Sequence, residues 1–106
     1  MVIGEVIGTV VSTRKTDNVQ GLPLRIVRRL TTEAAPTDSY VVAVDVVGAS
    51  EGELVLVASG SAARNTHLTD ARPVDAILIA IVDMWQVEGV VKYTSARETV
   101  RLRIPV

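Results

Sequence analysis

Residues 42–64, VAVDVVGASEGELVLVASGSAAR, constrain this chain more than any other stretch. They read as a strand, a glycine-bearing turn, a second strand and a loop of small residues that ends in an arginine. Strand side chains alternate with a period of two, so Val42, Val44 and Val46 fall on one face and Ala43, Asp45 and Val47 on the other. Gly48 and Gly52 frame the turn, where glycine removes the steric penalty of positive φ. Residues 54–58, LVLVA, are apolar on both faces. In so small a protein, a strand that is greasy on both sides needs a burial surface beyond its own core. That points to an assembly.

A chain of 106 residues is one domain on size alone, and such a chain buries roughly two thirds of its unfolded surface. Its hydrophobic fraction is 48%, yet Phe is absent and aromatic residues make up only 3%. Val, Ile, Leu and Ala must therefore build the core, and β-branched residues favour pleated sheet. A net charge of −1 gives no electrostatic case for nucleic acid or for an anionic membrane. With no cysteine there is no disulfide framework, thiolate metal site or thiol nucleophile. The opening MVIGEV lacks the basic region of a signal peptide. The longest apolar run, residues 76–82, is far below the ~18–20 residues that cross a bilayer. A cytoplasmic protein with no membrane partner is expected.

Residues 2–13 read as a long first strand whose even positions are small or β-branched. Gly4 and Gly8 on that face suit a strand curling around a small barrel. A polar loop over 14–21 leads to a second strand. There Leu22, Leu24, Ile26 and Leu30 alternate with Pro23, Arg25, Val27 and Arg29, which predicts that the second set faces water. Residues 31–39, with Pro36, read as a surface loop. The connection over 59–72 has room for one helical turn at 61–64, and an Ile-rich fifth strand spans 75–85. In the tail, 87–94 reads as a strand, and Val100, Leu102 and Ile104 alternate with Thr99, Arg101 and Arg103. The two predict a terminal hairpin turning near 95–98. The expected fold is all-β: a small five-stranded Greek-key barrel of the oligonucleotide-binding (OB-like) type, with one short helical turn and a C-terminal β-hairpin extension. The division is one domain, with 1–85 as barrel core and 86–106 as the hairpin.

Four blocks carry a family resemblance. GEVIGTVVSTRK over 4–15, VAVDVVGA over 42–49, GSAAR over 60–64 and PVDAILIAIVD over 73–83 occur in this order. Together they resemble the vertex proteins of bacterial microcompartments, the EutN/CcmL family. The resemblance implies the same barrel and a pentamer capping the fivefold vertices of a shell, as in a carboxysome or metabolosome. It also implies hexameric and pseudohexameric shell proteins as partners, no cofactor and no catalysis. Ala62 stands where the family more often has a serine, and Ser50 and Ala80 replace glycines of the pattern.

Candidate sites are few. His67 is the only histidine and, with no cysteine, cannot complete a zinc set; it reads as a solvated loop residue. Asp45, Asp75 and Asp83 form no required acid–base pair, and Asp45 and Asp75 suit turn formation, backbone capping or a subunit-interface ion pair. Arg14 and Lys15 join them as interface candidates. No glycine pair gives GxGxxG or a P-loop. Arg25, Arg28 and Arg29 form a basic cluster, but Tyr40, Trp85 and Tyr93 lie far apart for stacking on bases. A small oligonucleotide-binding module is the alternative function that the fold would allow. Gly60, Ser61, Ala62, Ala63 and Arg64 are the functional loop: small residues let backbones approach closely, and the resemblance places them near the fivefold axis. An ordinary tight turn with a capping serine is the competing reading.

Overall fold

The computed structural model of the chain describes residues 1–11, 21–59 and 75–95. Its strands are β1 (Val2–Val10), β2 (Leu24–Leu30), β3 (Pro36–Asp45), β4 (Leu54–Ser59), β5 (Ala76–Ile81), β6 (Met84–Val87) and β7 (Val90–Thr94). The first five close a barrel in the order β1-β2-β3-β5-β4, and β6 and β7 form a separate two-stranded sheet. All barrel pairings are antiparallel except β3–β5, which meet in parallel at Val44↔Ile77 and Asp45↔Leu78. The all-β barrel expected from the β-branched composition is therefore present. The helical turn expected at 61–64 lies outside the described residues.

Closure fixes which side chains are inside. Val6, Val27, Ala43, Val55, Val57, Ala76 and Leu78, drawn from all five strands, pack with Ala49 into one core cluster. Burying each Val or Leu stabilises the fold by about 1.5–3 kcal/mol before entropy is counted. No ring is needed, because a bore this narrow is filled by branched aliphatics. Gly48 and Gly52 stand at φ 75° and 89°, as the turn between β3 and β4 requires.

Three elements depart from the sequence expectation. Val27 lies wholly inside, so the apolar positions Leu24 and Ile26 point outward and the expected wet face of β2 is inverted. The expected 31–39 loop is a tight turn over 31–35 in which the Thr31 hydroxyl accepts the Glu33 and Ala35 N–H groups. Pro36 then opens β3, a strand-initial position that needs no ladder donor. The fifth strand stops at Ile81, and the chain enters a hairpin that turns at Glu88 and Gly89, inside the stretch read in sequence as one strand; the turn expected near 95–98 and its partner strand fall on residues 96–104, outside the described residues. Both turn residues have positive φ, 52° and 81°, the signature of a two-residue type I′ connection. Glu-Gly is a weaker turn signal than Asn-Gly or Asp-Gly, so the run 87–94 looks continuous in sequence.

The hairpin rests on the 31–35 turn. The Trp85 indole N–H donates to the Thr32 carbonyl at 2.8 Å, Lys92 pairs with Glu33 at 2.8 Å, and Trp85 stacks on Tyr93 with centroids 5.2 Å apart. Trp85→Ala removes the stack and the indole hydrogen bond, together about 1–3 kcal/mol. Amide hydrogen exchange should then quicken over 84–94 and stay unchanged in β1 to β5.

Candidate assembly surface

The barrel wall is apolar outside as well as in. One residue along from the core positions Ala43, Val57 and Leu78 stand Val44, Ala58 and Ile77, which form a second cluster and are 4%, 3% and 0% exposed. Leu22, Leu24, Val46 and Ile79 pack over them. The two-sided burial read from 54–58 is thus real, and part of it is met within the subunit. The rest is not. Ile3, Leu56 and Ala80 lie side by side across β1, β4 and β5 and are only half-buried. Across β1, β2 and β3, Gly8, Ile26 and Val42 form a second row, with Val42 51% and neighbouring Ile7 37% exposed. Two apolar rows therefore lie over different strand groups of one small barrel.

Asp45 sits at the end of β3, and its side chain has no exposed area. One carboxylate oxygen accepts the N–H groups of Val47 and Gly48 at 2.9 and 2.8 Å. The other accepts Ala49 N–H at 3.0 Å and Arg25 Nε at 3.1 Å. Arg25 also donates to the Thr9 hydroxyl. Of the roles open to Asp45 in sequence, the structure gives backbone capping together with an ion pair inside its own subunit. The Arg25–Asp45 pair was not recognised in sequence, since 20 residues separate them and Arg25 looked solvated.

Asp75 is exposed immediately ahead of β5. Arg14, Lys15, His67 and the loop Gly60, Ser61, Ala62, Ala63 and Arg64 lie outside the described residues. The basic cluster does not act as one patch: Arg25 turns to Asp45, whereas Arg28 lies over the Tyr40 ring at 5.4 Å. The aromatics are less scattered than in sequence, because the hairpin brings Trp85 and Tyr93 together. They stack on each other, which leaves them poorly disposed as a platform for bases.

A cleft of about 300 Å³ lies between the β3–β4 turn and the hairpin and is lined by Glu53, Leu54, Ile81, Asp83 and Tyr93. Burial, then the charges of Asp83, Glu53 and Glu5, push the Tyr93 phenol above its ordinary pKa, so it stays neutral. Neither a nucleophile–base pair nor, among the described residues, a group of three metal-ligating side chains accompanies them.

Known proteins resemble the chain over its whole barrel. The family model described as ethanolamine utilisation protein EutN/carboxysome matches residues 1–83. The carboxysome shell vertex protein CcmL of Synechocystis sp. is 49% identical over 83 residues, 78% of this chain and 83% of the relative. The microcompartment shell vertex protein GrpN of Rhodospirillum rubrum is 47% identical over 83 residues, 78% of this chain and 93% of the relative. Among solved structures, that of Gloeobacter violaceus CcmL aligns with a TM-score of 0.85 at 39% identity, covering 89% of this chain and 97% of the other. The GrpN structure, described as a pentameric microcompartment shell protein, aligns with a TM-score of 0.75 at 45% identity, covering 82% and 99%.

Proposed function

The chain belongs to the EutN/CcmL family of shell vertex proteins, and from that premise we infer that it is a structural protein that closes the fivefold vertices of a bacterial microcompartment shell as a pentamer. The observation that carries this reading is the family match over the full barrel, 1–83. The outer wall supports it. A ring of identical subunits needs two different surfaces that fit each other, because head-to-tail contacts close only through unlike patches. The rows at Ile3, Leu56 and Ala80 and at Ile26 and Val42 supply two such patches.

The work is geometric. A flat layer of hexagonal units closes into a polyhedron only where fivefold units introduce curvature, and such a role asks for no catalytic group. We place hexameric and pseudohexameric shell proteins around the pentamer and the assembly in the cytoplasm. The loop Gly60, Ser61, Ala62, Ala63 and Arg64 would face the fivefold axis, with Arg14, Lys15 and Asp75 at subunit contacts. Asp45 is better assigned to the subunit interior than to such a contact, since its four partners are intramolecular.

Native mass spectrometry tests the reading directly: the expected species has the mass of five 11.3 kDa chains. Monomer or dimer alone at micromolar concentration would overturn it. Two variants locate the contacts. Leu56→Asp changes a half-buried outer position, not the core. It should leave a folded monomer and abolish the pentamer, because a carboxylate sealed into an apolar contact costs several kcal/mol. Ala63→Trp should likewise spare the circular dichroism spectrum and dissolve the ring. Five copies near one axis multiply an overpacking cost of about 1–3 kcal/mol per site. An intact Ala63→Trp pentamer would move the loop away from the axis.

A further inference from the structure

Arg28 stands on the outside of the barrel beside one of the two apolar rows. Its neighbour Val27 is sealed in the core, so Arg28 points outward with Ile26, and their partners on β3 are Tyr40 and Val42. Tyr40 and Val42 are 52% and 51% exposed. Glu5 stands opposite Arg28 on β1, yet the arginine leaves that carboxylate and lies over the Tyr40 ring, 5.4 Å from its centroid. One Nη donates to the Tyr40 hydroxyl at a long 3.4 Å. Among the described residues, Nε has no acceptor and no carboxylate pairs with the guanidinium. An arginine laid on an exposed tyrosine beside an apolar row is the kind of group that carries binding energy in protein contacts.

The other row, Ile3, Leu56 and Ala80, has an acidic border. Glu5 follows Ile3 by two residues and shares the outer face of β1. Glu53 stands immediately ahead of β4, its carbonyl accepting the Val6 N–H at 3.0 Å, and Asp83 closely follows β5. All three acids are half-buried. A head-to-tail contact sets unlike faces against each other, so the row with the arginine meets the row with the acids. Resting on the pentameric reading above, we propose that the Arg28 guanidinium, held flat on Tyr40, takes a carboxylate from the acidic border of the next copy of this chain. The planar fork of arginine matches a carboxylate with two parallel bonds, and the tyrosine ring fixes the plane of that fork. The contact recurs around the ring and gives the apolar rows a single register, which methyl groups alone specify poorly.

Sedimentation velocity over a dilution series, at low and at high salt, tests the contact. The parent ring should loosen as salt rises, because screening weakens partly exposed charge pairs. Arg28→Met should raise the concentration at which half the rings dissociate by about tenfold or more, since every contact loses a charged hydrogen bond, and should blunt the response to salt. Arg28→Glu sets carboxylate against carboxylate and should dissociate further. Arg28→Lys should fall between Arg28→Met and the parent, because ammonium keeps the charge without the fork. Equal effects of Met and Glu, with the salt response unchanged, would leave Arg28 a packing role only and overturn the proposal. Rings as stable as the parent's in all three variants would overturn it too. Loss of the parent's circular dichroism spectrum would do the same, by placing Arg28 in the fold of the subunit. Each of these results leaves the parent pentamer standing, whereas a parent that stays monomer or dimer sinks the assembly reading itself.

Discussion

Asp45→Ala should unfold the subunit or leave it barely stable at room temperature. The carboxylate is completely buried and holds three backbone N–H groups of the turn after β3 as well as Arg25. Alanine removes all four acceptor contacts and leaves the partly buried guanidinium of Arg25, 21% exposed, with the Thr9 hydroxyl alone among the described residues. Breaking a buried pair from one side costs about 3–5 kcal/mol, because a charge is left uncompensated. Orphaned buried N–H groups add to that at about 1–3 kcal/mol each. A domain of this size has only about 5–15 kcal/mol in total. Asp45→Asn separates the terms, since its amide keeps one acceptor oxygen for the turn and loses the charge; its cost should be intermediate. Urea midpoints of the two variants check the order, and an Asp45→Ala midpoint equal to the parent's would show that the turn is held by something else.

What the sequence revealed depended on how local the physics is. The strand–turn–strand at 42–58 was legible because each part has its own signal: period-two valines, glycines at positive φ and a run apolar on both faces. The two-sided run also anticipated the second cluster on the outer wall. Strand β2 misled because alternation identifies two faces without saying which one points inward. Its apolar residues Leu24 and Ile26 lie outside and its inner set includes Arg25, which is tolerable only because Asp45 from another strand meets it. That pairing is tertiary and leaves no mark in a window of neighbouring residues. The inversion has its own meaning: an apolar outward face on a barrel strand is what a subunit contact needs. The hairpin turn was missed for a smaller reason, Glu88 in a left-handed conformation that asparagine or aspartate would have advertised. The expected loop at the axis lies outside the described residues, and its role rests on family resemblance and small side chains.

Gly4→Ala is expected to destabilise the barrel by about 1–3 kcal/mol, whereas Gly8→Ala on the same strand should be nearly neutral. In sequence the two glycines look equivalent, both on the even face of β1. The closed barrel separates them. A Cβ at Gly4 would drive into Val27 Cγ1 and come within 2.8 Å of the Arg28 carbonyl oxygen. Neither can retreat easily: Val27 is 0% exposed within the core, and the carbonyl belongs to the backbone of β2, the strand paired with β1. Interiors packed to this density transmit such an intrusion as backbone displacement, so the β1–β2 ladder must shift at its Gly4↔Arg29 pairing. A Cβ at Gly8 meets only Ile26 Cδ1 at 3.6 Å, an ordinary van der Waals contact. There the smaller unfolded-state entropy of alanine offsets part of any loss, by about 0.4–1 kcal/mol. Thermal unfolding of the two variants side by side decides the matter. A Gly4→Ala melting temperature no lower than that of Gly8→Ala would mean that β1 and β2 lie farther apart at Gly4 than the barrel geometry states.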